Sequence, residues 1–258
     1  MSQDLNATIT KRINTSEGLA IFHVKPDQAL KPFKAGQYVA LGLFGSAPRA
    51  VDAPKEIEPP RADKIVKRSY SIGSDPSNGE EFEFYIAIVP DGALTSRLDL
   101  LGEGGRLWMA PKVVGKFTVD EAPQDANLVF VSTGTGIAPY IAMLRSEGLF
   151  DSGRKITLMH GVRYKRDLAY REMLEELAQK TPQFNYLPIA SREDWEGERG
   201  YVQQFFKDET ISLDSAKDHV FLCGNPAMID EVTELLGTKG YSVHSKRTPG
   251  NLHLEKYW

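Results

Sequence analysis

The sequence predicts two domains of different class, an antiparallel β-domain followed by an α/β domain built on a parallel sheet. Three observations predict this. Up to "VDEAPQDAN" the chain holds short β-like runs broken by Gly, Pro, Asp and Ser. Beyond that stretch β-like and helical runs alternate. The two textures meet near Pro123, which divides the chain into residues 1–122 and 123–258. A chain of 258 residues suffices for two domains of ordinary size.

In the first part the β-like runs are "LAIFHVK", "GQYVALGLF", "RSYSIGS", "EFEFYIAIV" and "GRLWMAPK". They are rich in β-branched and aromatic residues and closed by turn formers, the pattern of an antiparallel barrel or sandwich. Residues 46–63 interrupt it with Pro48, Pro54, Pro59, Pro60 and mixed charges. That segment reads as an insertion bulging from the barrel, a solvated loop. In the second part "NLVFVSTG" precedes "IAPYIAMLRSEG", "KITLMHG" precedes "DLAYREMLEELAQK", "FNYLPIAS" precedes "YVQQFFKDE", and "HVFLCG" precedes "PAMIDEVTELLG". "YSVHSK" follows as the last β-like run. Alternation of this kind implies a parallel sheet flanked by helices.

Composition sets limits. Hydrophobic content of 41% and charged content of 26% are those of a globular protein. No apolar run approaches the ~20 residues of a membrane span, and "MSQDLNA" lacks the features of a signal peptide; a cytoplasmic location is expected. The single cysteine, Cys223, excludes an internal disulfide and a four-cysteine iron–sulfur site. No metal site is expected. A net charge of −4 does not favour non-specific nucleic-acid binding. Two stretches, residues 61–68 and 246–256, are nonetheless locally basic, either as solvated faces or as a field that steers an acidic partner.

"VSTGTGIAP" ends a β-like run and opens a helix. Gly134 and Gly136 permit a tight turn and close approach of a ligand. The free N–H groups of the helix start favour a phosphate there, and Pro139 suits the first turn. The third glycine of a Rossmann fingerprint and the lysine of a P-loop are absent, so an ordinary βα turn stays open. A second strand-turn-helix occurs at "CGNPAMI". Both turns fall at the C-terminal edge of the sheet, where open α/β sheets bind ligands. Cys223 alone reads as a core thiol, and His160 as a structural histidine. The chain ends "LHLEKYW", and two adjacent rings, Tyr257 and Trp258, require a surface to lie against.

"RSYS", "GALTSRL", "GTGIAP", "CGNP" and the final "EKYW", in this order, resemble the ferredoxin–NADP reductase superfamily and its bacterial ferredoxin (flavodoxin) branch. The resemblance spans nearly the whole chain. It implies an FAD-binding antiparallel barrel followed by an NADP-binding α/β domain. By that resemblance Arg68 pairs with the FAD pyrophosphate, for which a guanidinium fork is suited. Tyr70 lies beside the flavin and Ser71 near flavin N5. Gly92, Leu94 and Thr95 form a second FAD loop, in which a helix start and a hydroxyl meet the pyrophosphate. Thr133, Gly134, Thr135, Gly136 and Pro139 hold the dinucleotide of NADP(H), and Cys223 lies near the nicotinamide.

The same resemblance places the 2′-phosphate of NADPH after the third strand of the α/β domain. Ser191, Arg192 and Arg199 are the matching donors, Tyr201 stacks on adenine, Gln203 adds a hydrogen bond, and Arg163 is a further basic contact. Glu193, Asp194, Glu196 and Glu198 lie among them and either face solvent or weaken phosphate affinity. Tyr257 is implied to cover the flavin and move aside for the nicotinamide. Trp258 stacks beyond it, and Glu255 supplies a proton or hydrogen-bond group beside Ser71 and Cys223. The implied reaction moves a hydride between NADPH and FAD and single electrons to or from ferredoxin or flavodoxin, with a monomeric enzyme meeting its carrier transiently. An NAD(P)H-dependent flavin or quinone reductase of the same fold is the alternative. A flavin-binding subunit of a larger complex would carry an extra cysteine cluster, which one cysteine cannot supply.

Overall fold

The computed structural model describes residues 4–256. They form two compact units. The first comprises residues up to Thr118 together with Ala138–Ser146, and the second Val119–Ile137 with the residues from Glu147 on.

The first unit is a six-stranded antiparallel sheet in the order β4-β3-β6-β1-β2-β5. Its strands are β1 (Ala7–Ser16), β2 (Leu19–Pro26), β3 (Tyr38–Phe44), β4 (Ile65–Ser71), β5 (Phe82–Ala87) and β6 (Arg106–Met109). Just beyond β4, Gly73 N–H donates to Glu83 C=O on β5 at 2.8 Å, drawing the two edge strands together. The barrel interior is filled by Ile9, Phe22, Leu41, Phe82, Phe84, Leu94 and Leu107 among others, all buried. Burying each such side chain contributes ~1.5–3 kcal/mol. β1, absent from the expected strands, carries mostly polar residues and is fixed by tertiary contacts. Arg12 donates to Asp99 and to Leu101 C=O and lies over the Phe22 ring. The one-turn helix α1 (Thr95–Leu98) follows β5, and helix α2 (Ala138–Arg145) joins this unit through Arg145, which donates to Glu83 and Gly73 C=O at 2.8 Å each.

The second unit is a six-stranded sheet in the order β10-β9-β8-β7-β11-β12, every pairing parallel. Its strands are β7 (Asn127–Thr133), β8 (Ile156–Val162), β9 (Phe184–Ala190), β10 (Glu198–Arg199), β11 (Asp218–Gly224) and β12 (Leu252–Lys256), with helices α3 (Arg171–Lys180), α4 (Gln204–Lys207) and α5 (Pro226–Gly237). Strand order reverses at β7, which has β8 on one side and β11 on the other. That is a topological switch point. The expected last strand at "YSVHSK" is corrected: of its residues only Tyr241 is buried, and a single bridge, Val243 to Leu252, marks its contact with the sheet. The sixth strand is β12, in the chain's tail, where Leu252 and His253 are buried beside β11.

His219, His244 and His253 stack at the start of β11 and β12, with ring centroids 4.7–5.3 Å apart. His253 also lies on Phe221 at 4.2 Å. Burial pushes His253 down to about 3 and does the same to His160 in β8. Both are neutral when folded and gain a proton on unfolding below pH 6.5. Their contribution to stability is therefore complete above pH 6.5 and is lost as pH falls toward 3, at ~1.4 kcal/mol per pH unit for each histidine. Thermal unfolding followed by circular dichroism should show the melting temperature of the wild type falling between pH 7 and pH 4, with a shallower fall in His253→Phe. Equal pH dependence in the two proteins would refute this account.

Candidate functional site

In the second unit the residues after β7 and β11 meet at the switch point. Gly134 is left-handed at φ +54, which lets Gly134–Ile137 turn tightly into α2. A Cβ on Gly134 would touch nothing, so its side faces open space. A Cβ on Gly136 would instead sit 2.5 Å from Cys223 C=O, so this glycine lets the two loops pass. Gly224, at φ +132, packs on Thr133, and Thr133 Oγ1 accepts from Asn225 N–H at 2.8 Å. Asn225 Oδ1 accepts from Ala227 N–H at 2.8 Å and caps α5, whose first residue is Pro226. The two glycine turns thus build one concave edge with an open side at Gly134, a cradle fit for a phosphate group. Thr135 is half-buried there, and Pro139 is buried in α2.

His160 lies beneath this edge. It is fully buried, adjoins the Gly134 backbone and places Nδ1 3.2 Å from the Tyr186 hydroxyl. A neutral, enclosed imidazole supports the loop and has no route to a substrate proton, in line with the structural role expected for it. Cys223 is likewise buried. It pairs in register with Glu255 on β12, and its Sγ lies 3.8 Å from Glu255 Oε2. The pair stands at the C-terminal end of neighbouring strands, next to Gly136. Tyr257 and Trp258 lie outside the described residues.

The outer side of the same sheet edge gathers the basic residues. Ser191 follows β9, and its N–H and hydroxyl both donate to Val162 C=O at the end of β8. Arg192 N–H donates to Arg163 C=O at 2.9 Å, which sets the two arginines side by side. Both guanidiniums are exposed and unpaired among the described residues. Arg199 on β10 is level with Ala190 of β9 and pairs with Asp194 at 2.6 Å. Tyr201 follows with its side chain 61% exposed, a ring available for stacking.

The neighbouring acids are mostly engaged elsewhere. Glu193 accepts from Lys165 N–H. Glu196 pairs with Lys165 and Arg171 at 2.7 and 2.9 Å, and these hydrogen bonds hold its carboxyl at about 2. Only Asp194 shares a cation with the arginine cluster. Gln203 has a different occupation from the expected one, since its amide nitrogen donates to Glu231 on α5 at 2.7 Å.

In the first unit Arg68, Tyr70 and Ser71 lie on edge strand β4. Arg68 is exposed and, among the described residues, donates only to the adjacent Lys67 C=O. The Tyr70 hydroxyl is buried without a hydrogen-bond partner, and burial pushes the phenol up. An orphaned buried hydroxyl beside an exposed guanidinium fits a ligand with acceptor oxygens. Ser71 is buried.

The turn at residues 92–95 differs in detail from expectation. Thr95 Oγ1 is spent on Val89, bonding both its C=O at 2.9 Å and its N–H at 3.2 Å, and a Cβ on Gly92 would overlap that hydroxyl. Leu94 is buried as a core residue. The N–H groups of Ala93 and Leu94 are bonded to no described residue, so the helix start of this turn keeps unbonded backbone donors. Sequence reasoning did not single out Ala93, since a backbone donor leaves no side-chain signature.

Comparison with known proteins bears on both halves. The oxidoreductase NAD-binding domain family matches residues 130–234. The flavodoxin/ferredoxin–NADP reductase of Escherichia coli (strain K12) is 32% identical over 267 residues, covering the whole of both chains. That of Buchnera aphidicola subsp. Baizongia pistaciae is 31% identical, covering 92% of this chain and 93% of its own. Among solved structures, a ferredoxin NADP+ reductase from Neisseria gonorrhoeae with bound FAD and NADP superposes with a TM-score of 0.83 at 22% identity, covering 97% of each chain.

The glycines of the second unit separate conformational from steric demand. Gly134→Ala should destabilise by ~1–2 kcal/mol, the cost of a side chain in the left-handed region. Gly136→Ala should cost about twice that or more, because backbone must move to admit the methyl group. Urea unfolding of the two variants measures the difference, and a larger cost at Gly134 would contradict the described approach of the loops.

Proposed function

Because the chain belongs to the flavodoxin/ferredoxin–NADP reductase family, we propose that its two units divide the work of that enzyme between the residue sets described above. The protein is an FAD-dependent oxidoreductase that exchanges a hydride between NADPH and FAD and single electrons with ferredoxin or flavodoxin. Bound FAD supplies the conversion between two-electron and one-electron chemistry. The chain's own residues bind, orient and shield.

On the first unit, Arg68 offers a planar fork to the FAD pyrophosphate, and the Ala93 and Leu94 N–H groups add backbone donors. Tyr70 borders the flavin, its buried hydroxyl waiting for a ligand oxygen, and Ser71 is the hydroxyl assigned to the reacting edge. On the second unit, residues 133–136 cradle the NADP pyrophosphate, and Pro139 follows them in sequence at the first turn of the next helix. Ser191, Arg192 and Arg163 bind the 2′-phosphate, Arg199 assists once it shares its charge with Asp194 and the ligand, and Tyr201 stacks on adenine. Gln203 acts by holding α5 and Glu231 rather than by reaching the cofactor. Cys223 and Glu255 form the polar end of the nicotinamide site, Tyr257 covers the flavin, and Trp258 stacks beyond it. The carrier is met transiently, steered by the basic stretches at residues 61–68 and 246–256, one on each unit, and the enzyme works as a monomer.

The observation that carries this reading is the pair of exposed, unpaired guanidiniums, Arg163 and Arg192, held together by the Arg192–Arg163 backbone bond beside a stackable Tyr201. Two unpaired like charges on residues joined by a backbone bond suit a dianionic phosphate. Arg192→Ala should raise KM for NADPH ~10–100-fold, the loss expected for a charged hydrogen bond. The limiting rate of flavin reduction and KM for NADH should stay near wild type. Steady-state kinetics with both coenzymes check this, and an equal change in KM for NADPH and NADH would remove Arg192 from the phosphate site.

A further inference from the structure

Residues 45–64 connect β3 to β4 and contain the four prolines. Sequence reasoning made this segment a solvated bulge. The structure folds it back onto α1. The neck is closed by Gly45 N–H to Lys64 C=O at 2.8 Å and Ser46 N–H to Ala62 C=O at 3.2 Å. The middle is held by two relays, linked where Arg49 Nε lies 3.8 Å from Glu56 Oε1. In one, Arg49 Nε donates to Ser96 Oγ at 2.9 Å, and Ser96 Oγ donates to Gly92 C=O at 2.7 Å. Ala50 N–H reinforces it at Ser96 C=O, 2.8 Å away. In the other, Glu56 takes both terminal nitrogens of Arg97, at 2.8 and 2.9 Å, and the same guanidinium donates to Ala93 C=O at 2.5 Å and to Gly45 C=O at 2.9 Å.

Arg97 is 3% exposed, so Glu56 is the counter-ion of a buried charge. Its carboxyl is held below the usual range by the Arg97 hydrogen bonds. Both relays end on carbonyls of the same short turn, Gly92 in one and Ala93 in the other. The open N–H groups of Ala93 and Leu94 belong to that turn. A loop with no ligand to serve gains nothing from a buried ion pair, which is costly to desolvate and seldom adds net stability. A turn whose backbone donors must keep one orientation does gain from it.

We propose that residues 45–64 are a clamp that fixes the turn at residues 92–95 for FAD, with Glu56 and Arg49 as its positioning residues, and that it sets how slowly FAD leaves the protein. The inference rests on the reading of that turn as part of the FAD site. The clamp acts on the cofactor's residence and leaves the reduction of bound FAD unaltered, since Glu56 and Arg49 reach the cofactor only through Arg97, Ser96 and the turn backbone.

The test is FAD release from the purified, full-length holoprotein, followed by the rise of free-flavin fluorescence after dilution. Glu56→Gln should release FAD ~10–100-fold faster than wild type, because it removes the charge partner of a buried arginine. Glu56→Asp, which keeps the charge, should lie between the two. Stopped-flow reduction by NADPH of the FAD still bound should keep the wild-type limiting rate and KM, a result that general loosening of the fold would not give. If Glu56→Gln does not fold, Arg49→Met cuts the other relay and its 3.8 Å contact with Glu56, leaves the Arg97–Glu56 pair in place, and should accelerate release by a smaller factor. Gly92→Ala, which disturbs the turn itself, separates the two ways of failing. Faster release in Gly92→Ala with wild-type release in both clamp variants overturns the clamp alone. Wild-type release in all of them overturns the clamp together with the assignment of the turn to FAD.

Discussion

Two glycines, Gly136 and Gly224, let the end of β11 lie against the first turn after β7, and the ligand edge of the second unit depends on that approach. Side chains at either position would collide with backbone or with Thr133. With the loops in contact, the switch point between β7 and β11 becomes a continuous concave edge, and Thr133, Asn225 and Pro226 lock it from both sides. Cys223 is then carried into register with Glu255, and His160 is enclosed beneath Gly134. The chemistry assigned to this unit needs little from these side chains beyond placement. A hydride moves between cofactors, so the protein's work is orientation, exclusion of water and recognition of phosphate.

The first unit solves a related problem with polar ties. Its strand β1 is rich in charged and polar residues, and its one-turn helix is too short to stand on hydrogen bonds of its own. Arg12 and Arg97 act as multi-point fasteners, each bonding two carbonyls and a carboxylate, those of Arg97 drawn from separate segments. A guanidinium can do this because its donors fan out in one plane. The prolines of residues 45–64 lower the entropy lost when that segment is ordered, which suits a strap that must stay closed.

Much of this was legible in the amino-acid order. Five of the six barrel strands and four of the six in the α/β unit (β7, β8, β9 and β11) announce themselves by β-branched and aromatic runs between turn formers, and the glycine turns stand where the strands end. β1 was hidden because "ATITKRINTS" buries little, and its stability comes from residues about ninety positions away. β12 was hidden behind a basic stretch, whereas "YSVHSK" buries Tyr241 and leaves Val243 exposed. The acids around Arg192 looked like competitors because sequence shows proximity and not direction. Glu193 and Glu196 turn to the residues after β8, more than twenty positions upstream. The anchoring of the otherwise solvated insertion was hidden for the same reason, since nothing local marks Glu56 as the partner of Arg97.

The central claim is that this chain carries FAD and takes its hydride from NADPH in preference to NADH. Anaerobic stopped-flow reduction of the purified holoprotein at equal, low concentrations of the two coenzymes tests it most directly. The account predicts a flavin absorbance that bleaches much faster with NADPH than with NADH. Equal rates, or a preference for NADH, would contradict it and leave Arg163 and Arg192 without the phosphate that explains their exposure.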